Sequence, residues 1–395
     1  MQLKDGLHLA YTTNVHRSET WRETLDALNN HTLAVRERVC PKKPFAIGLR
    51  LSNQAARELS ESGTLVEFQR WLAQTNCYVF TINGFPFGQF HGARVKEQVY
   101  LPDWTSPERL AYTNLLFDLL AKLLPAGLEG SVSTLPGSFK GFHLHADALK
   151  AIRYNLWQCV EHIAHLTEQT GRKLCLALEP EPLCLLESSG ETIQLFDRLR
   201  AEHPRDPRLA EHLGVNYDTC HFAVNFEEPR NAISCLQYHG IKIGKIHASS
   251  ALKLRPTTEA RRALAAFVGD IYFHQTVIRY PDGQRFIYAD LNEALAGEPR
   301  ASEDIAAENL PEWRVHFHVP LHTPAGPPFE TTNDHLLAVL DLLAENLNLC
   351  SHLEMETDTW EVLPPELRSR SVVEQLVAEY EWMLPRLAER GLANR

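Results

Sequence analysis

The sequence predicts an α/β protein: a (β/α)8 TIM barrel with an insertion after the seventh strand. Three observations carry that expectation. Short β-prone apolar runs recur every 25 to 45 residues or so, amphipathic helical patterns lie between them, and six segments end an apolar run with a potential metal ligand. Strands that are almost continuously apolar and separated by helices require parallel pairing with both sheet faces covered. In a barrel of such strands all carboxyl ends converge on one mouth, so residues far apart in sequence surround a single ion there.

The runs are 9–16, 45–52, 77–83, 129–135, 173–179, 213–218 and 242–248, followed by 314–321 and 349–356. Nine candidates for eight places leave either the first or the eighth run peripheral. Ser106-Pro107-Glu108 reads as an N-cap with proline in the first turn, leading a helix from Leu110 to Leu124. Within 143–170, Leu149, Ile152, Leu156, Val160 and Ile163 recur at three- and four-residue intervals, and Gly171 supplies the stop, the pattern of a helix on a barrel's outside. Ser189 and Asn333 open two further helices. From about 253 to 313 the pattern departs: a helix near 257–267 precedes a hairpin, 272–280 and 284–288, turning at Pro281-Asp282-Gly283. No linker or charge run divides the chain, so one elaborated domain over 1–395 is expected.

With 44% hydrophobic and 23% charged residues, the chain has ordinary globular composition. A net charge of −11 argues against a nucleic-acid partner. Eight cysteines without a CxxC pair read as reduced, mostly buried thiols. The N-terminus lacks an export pattern and no segment approaches about 18 uninterrupted apolar residues, so a cytoplasmic protein without direct membrane insertion is expected.

The chemistry-bearing residues sit at the ends of the runs. Asp218-Thr219-Cys220-His221 closes 213–217, placing the aspartate at the strand end and the histidine in the turn beyond; a carboxylate with an imidazole suits a divalent transition metal. Glu179 follows Leu174-Cys175-Leu176-Ala177-Leu178, a run that buries a carboxylate unless a cation compensates it, and Glu181 shares its face. His247 ends Ile243-Gly244-Lys245-Ile246, while His316 and His318 alternate along one face. Glu354 and Glu356 also share a face; Glu354 is preferred because Asp358 and Trp360 place the chain in a loop soon after 356.

Glu179, Asp218-x-x-His221, His247 and a final-strand glutamate resemble the metal pattern of the xylose-isomerase-like barrels, which include sugar and sugar-phosphate isomerases and epimerases. The resemblance implies one divalent ion (Mn, Zn, Co or Mg) on Glu179, Asp218, His247 and Glu354, with His221 beside the substrate and the two glutamates shuttling a proton. Asp218-Thr219-Cys220-His221-Phe222-Ala223 is also similar to the signature of endonuclease IV, a multi-zinc phosphodiesterase. Its Asp-x-His before the last strand is replaced here by His316-x-His318, and its early-strand histidines have only loose counterparts such as His91 or His143. A third resemblance spans nearly the whole chain: Asn14-Val15-His16, Arg50-Leu51-Ser52, Asn83 to Gly88, Val99 to Trp104, Glu179-Pro180-Glu181-Pro182, Asp218 to His221 and Leu353 to Thr357 look like EboE-type metabolite-traffic proteins. That family implies a small-molecule metabolite and partner proteins of a metabolite-export assembly, without naming a reaction.

The long loop Asn83 to Gly92 after the third strand offers Phe85, Phe87 and His91 to a ligand, together with Trp104; the aromatics serve equally to pin the loop to the body. Lys140, within Gly137 to Gly141, and Lys253-x-Arg255 supply cations for phosphate or carboxylate. Neither matches a Walker loop or a dinucleotide fingerprint, so no nucleotide cofactor is expected. Three functions remain open: isomerisation or epimerisation of a hydroxy-carbonyl or sugar-type metabolite, phosphoester hydrolysis by a zinc cluster, and metabolite binding without turnover.

Overall fold

A computed structural model describes residues 1–88, 96–269, 272–298, 309–324, 326–357 and 370–394. Its centre is a parallel barrel formed by β1 (His8–Tyr11), β2 (Phe45–Arg50), β3 (Cys77–Asn83), β4 (Glu129–Thr134), β5 (Lys173–Leu178), β6 (Leu213–Asp218) and β7 (Lys242–Ala248). A second sheet follows, of β8 (Leu252–Leu254), β9 (Thr276–Arg279), β10 (Arg285–Tyr288), β11 (Glu312–Val315) and β12 (Glu330–Thr331), before β13 (His352–Met355) completes the barrel. The barrel order is β1-β13-β7-β6-β5-β4-β3-β2, and a parallel bridge from Thr12 to Gly48 joins its two ends. This is the (β/α)8 TIM-barrel fold expected from the alternation of apolar runs and helices.

The first run enters the barrel as β1, so the eighth candidate is the peripheral one. It contributes β11, antiparallel to β8 and β9. Apolar alternation is the same in either sheet, which is why the two candidates looked alike. The second sheet, ordered β10-β9-β11-β8-β12, reaches further than the expected insertion of 253–313, since β12 extends it to Thr331.

Local chemistry sets the element ends. The Ser106 hydroxyl accepts the Glu108 amide at 3.1 Å and Pro107 opens the helix Pro107–Leu123. The helix Ala146–Thr170 buries Ile152, Leu156, Val160 and Ile163 and stops at Gly171, whose φ of +66° suits a residue without Cβ. Gly48 answers a different need. A Cβ there would lie 1.7 Å from Glu354 Oε1, so the strand approaches a buried carboxylate that no larger residue admits. All eight cysteines are free, and seven are buried. No described helix is long and apolar enough to cross a membrane.

Candidate metal centre

Four donor groups meet at the carboxyl ends of β5, β6, β7 and β13: Glu179, Asp218, His247 and Glu356, all buried. Strand pairing continues just past β5 and β13 and places two of them. The Glu179 amide donates to Thr134 O at 3.0 Å and the Glu356 amide to Ala248 O at 3.1 Å. Asp218 caps the short helix Thr219–Val224 with one oxygen only: Oδ1 accepts the amides of Cys220 and His221 at 2.7 and 2.9 Å and the Ser249 hydroxyl at 2.7 Å. Its Oδ2 is left for the centre, 3.6 Å from His247 Nδ1.

His247 Nδ1 is the hub, 2.5 Å from Glu356 Oε2 and 3.0 Å from Glu179 Oε1. Its other nitrogen, Nε2, donates to Glu354 Oε2 at 3.1 Å. A carboxylate on the far ring nitrogen orients an imidazole and leaves Nδ1 as the ligand atom. Glu354 is itself held by Lys245, Nζ to Oε2 2.5 Å, and both side chains are fully buried.

The donor set fits a divalent cation. Glu179 Oε2 and Asp218 Oδ2 are buried with no hydrogen-bond partner among the described residues, and a carboxylate oxygen left so is costly unless a cation answers it. Burial pulls the His247 imidazole down, yet the Glu356 and Glu179 carboxylates outweigh it and hold its pKa well above the ordinary value. Burial likewise raises Asp218, and the charges of His221, His247 and His318 overturn that, leaving it well below the usual carboxylate range. Glu179 is also lowered, His247 outweighing its burial. Three carboxylates around one imidazole thus favour positive charge at their midst.

A second constellation adjoins the first. His221 Nδ1 donates to Pro180 O at 2.9 Å and His318 Nδ1 lies 3.3 Å from Glu356 O, so each ring has its proton directed at a backbone carbonyl. Their Nε2 atoms then face one another at 3.3 Å, with Glu181 Oε2 3.2 Å from His221 Nε2. His316 packs edge-on against His221, ring centroids 4.9 Å apart. Burial lowers the His221 and His316 pKa values, and neighbouring imidazoles deepen the effect at His316. With Nε2 facing Nε2, the two rings make a poor hydrogen bond to each other and present imidazole nitrogens of the kind that bind transition metals.

The other expected site residues divide. Phe85 lines the pocket above the centre with Glu179, Glu181, Glu356 and His221, whereas Glu354 is not part of that lining. The four-donor group includes Glu356 and not the preferred Glu354: β13 ends at Met355, so Glu356 stands at the mouth and Glu354 one inward-facing position deeper. Trp104 is fully buried and donates to Leu135 O at 3.0 Å, pinning its loop rather than walling a ligand. Phe87 packs edge-on against Tyr112, ring centroids 5.0 Å apart, with the Arg109 guanidinium over its face. Lys140 pairs with Glu187 and Glu191, Lys253 with Asp334 and Glu330, and Arg255 with Glu312 and Leu310 O; none of the three lines the pocket. His91 lies outside the described residues.

Sequence reasoning passed over several participants. Asn14 donates to Glu356 Oε1 at 3.2 Å, and Lys245 shares the inward face of β7 with His247, a two-residue spacing that was readable. Tyr100, Phe273, His274 and Phe317 also line the pocket, two of them from the segment between β8 and β9, for which strand-end logic has no rule.

No family model and no curated protein matches this sequence. Among solved structures, it is similar to an L-ribulose 3-epimerase at 13% identity and a TM-score of 0.51, covering 99% of this chain and 96% of that one. It is also similar to IolI protein with a bound zinc atom, 11% identical with a TM-score of 0.46 over 97% of this chain and 98% of that one. A probable 3-DHS dehydratase, AsbF of Bacillus anthracis, described as involved in petrobactin synthesis, is 12% identical with a TM-score of 0.46 over 95% and 98%. At these identities the likeness is one of fold.

Proposed function

We propose that this chain is a metal-dependent isomerase or epimerase of a small hydroxy-carbonyl or sugar-type metabolite. The observation that carries the reading is the convergence of Glu179, Asp218 and Glu356 on His247 Nδ1 at the floor of a pocket. Glu179, Asp218, His247 and Glu356 would hold a divalent ion, which would supply Lewis acidity toward a carbonyl and its neighbouring hydroxyl. Glu179 and Glu356 are the pair for proton transfer, because both line the pocket whereas Glu354 is engaged by Lys245 and His247 below it. One carboxylate takes the proton from the carbon next to the carbonyl; the other returns a proton to the opposite face or the adjacent carbon. Asn14 fixes Glu356, and Glu354 fixes His247.

The resemblance to metabolite-traffic proteins adds a setting to this proposal: a cytoplasmic barrel handling a small metabolite, with partners in an export assembly, no nucleic acid and no membrane insertion. The test is deuterium incorporation. Metal-loaded protein incubated in D2O with a panel of ketoses should exchange the hydrogen next to the carbonyl, and Glu356→Gln should reduce exchange by at least about a hundredfold. Absence of exchange from every compound that binds would leave a binding protein and refute isomerisation.

One observation favours a second reading, phosphoester hydrolysis by more than one ion: the facing Nε2 atoms of His221 and His318 beside Glu181. Elemental analysis separates the two. A single equivalent per chain supports the isomerase, and two or more zinc equivalents support the hydrolase.

A further inference from the structure

The walls of the pocket differ in character from its floor. Tyr100, from the segment after β3, stacks on Phe139, from the segment after β4, with centroids 4.8 Å apart; Phe139 stacks in turn on Phe273 at 5.8 Å, and Phe85 lies 6.1 Å from Tyr100. Three segments distant in sequence thus build one aromatic face directly above the carboxylates. Among the described residues lining the pocket, Lys96 alone carries a full positive charge, and it is already paired with Asp290 at 2.8 Å while lying over the Phe273 ring. Beneath are Glu179, Glu181, Asp218 and Glu356, so a single divalent ion leaves the floor two negative charges in excess. Such a site repels a phosphate group.

His274 adds a buried imidazole to this wall. It lines the pocket, is only 3% exposed and stacks on Phe317 at 4.9 Å, and neither ring nitrogen has a hydrogen-bond partner among the described residues. A neutral imidazole offers one donor and one acceptor, and leaving both unmet inside a protein is destabilising. Burial pushes its pKa down to about 4, so it stays neutral and adds no charge for an anion.

We propose that the substrate is an uncharged hydroxy-carbonyl or polyol compound bearing an apolar substituent, with its oxygens on the carboxylate floor, its substituent against the Phe85–Tyr100–Phe273 face, and a hydrogen bond to His274. This substrate class rests on the isomerase reading above but is tested by binding alone. Aromatic walls select by apolar burial, and one buried neutral donor–acceptor pair selects a hydroxyl or carbonyl without favouring an anion.

The test uses metal-loaded full chain and three calorimetric probes sharing one diol: glycerol, its 1-benzyl ether and glycerol 1-phosphate. The benzyl ether should bind at least about tenfold more tightly than glycerol, and the phosphate no more tightly than glycerol. His274→Leu should weaken the benzyl ether about fivefold or more with an unchanged or raised melting temperature, because it removes two unpaired buried nitrogens. Tighter binding of the phosphate, or no millimolar binding of the benzyl ether, overturns the proposal. So does a His274→Leu variant that melts lower and binds normally, which would make His274 a structural residue. A benzyl preference without deuterium exchange from any ketose supports the substrate class while removing isomerisation. Exchange accompanied by a phosphate preference keeps isomerisation and overturns the class.

Discussion

Glu354 and Glu356 are two residues apart on one face, yet replacing each by glutamine should perturb different properties. Glu354 and Lys245 are fully buried with Nζ and Oε2 2.5 Å apart. At an effective dielectric of about 20, unit charges at that distance attract by about 7 kcal/mol, much of it offset by the desolvation of both groups. Removing one partner leaves the other charge buried and uncompensated, a loss of about 3–5 kcal/mol. Glu354→Gln should therefore lower the stability of chelator-treated protein by about that amount and weaken metal binding about 10–100-fold through a loosened His247. Glu356 is attracted by His247 and accepts a hydrogen bond from Asn14, but it is also repelled by two carboxylates, Glu179 and Asp218. Glu356→Gln should leave the metal-free stability little changed while lowering metal affinity beyond the roughly hundredfold ceiling of an orienting residue. Guanidinium titrations at constant slope report the stabilities, and competition with a chromophoric chelator reports the affinities. The reasoning fails if Glu354→Gln unfolds at the wild-type midpoint, or if Glu354→Gln abolishes metal binding while Glu356→Gln stays within tenfold of wild type.

Three further expectations follow from the same geometry. Gly48→Ala, which brings a Cβ within 1.7 Å of Glu354 Oε1, should weaken metal binding like Glu354→Gln although no charge changes; normal affinity by chelator competition would show that the Glu354 position is unimportant. His247 has a folded pKa well above its ordinary value, because Glu356 and Glu179 outweigh burial. Its contribution is complete below the unfolded pKa of about 6.5 and lost as pH rises through the raised folded value, so chelated protein should lose melting temperature from neutral pH upward. Metal-loaded protein should not show that decline in parallel melts from pH 6 to 9, since the ion takes the place of the proton. Glu379 is raised to about 7, burial outweighing its bonds to Thr357 and the Leu321 amide. Its folded form holds the proton more tightly, so stability falls as pH rises from about 4.5 to about 7 and the cost levels off above; Glu379→Gln should stabilise by about 3 kcal/mol at pH 8 and little at pH 4.5, measured by denaturant titration at each pH.

The sequence by itself determined the alternation of runs and helices and which potential donor groups stand at the ends of runs; Asp218 and His247 are two of these, and they pair in register between β6 and β7. Those properties follow from period-two apolar patterning and from where each run stops. The tertiary structure decided the rest. Patterning assigns a residue to a face of a strand but not to a height along the barrel, so Glu354 and Glu356 look equivalent until Glu354 falls in register with His247 and within reach of Lys245. It also cannot say which sheet an alternating run joins, and β11 went to the second sheet because β8 and β9, far away in sequence, provide its ladder. The aromatic face and His274 were decided in the same way, by three segments whose meeting depends on long-range packing and leaves no local periodicity.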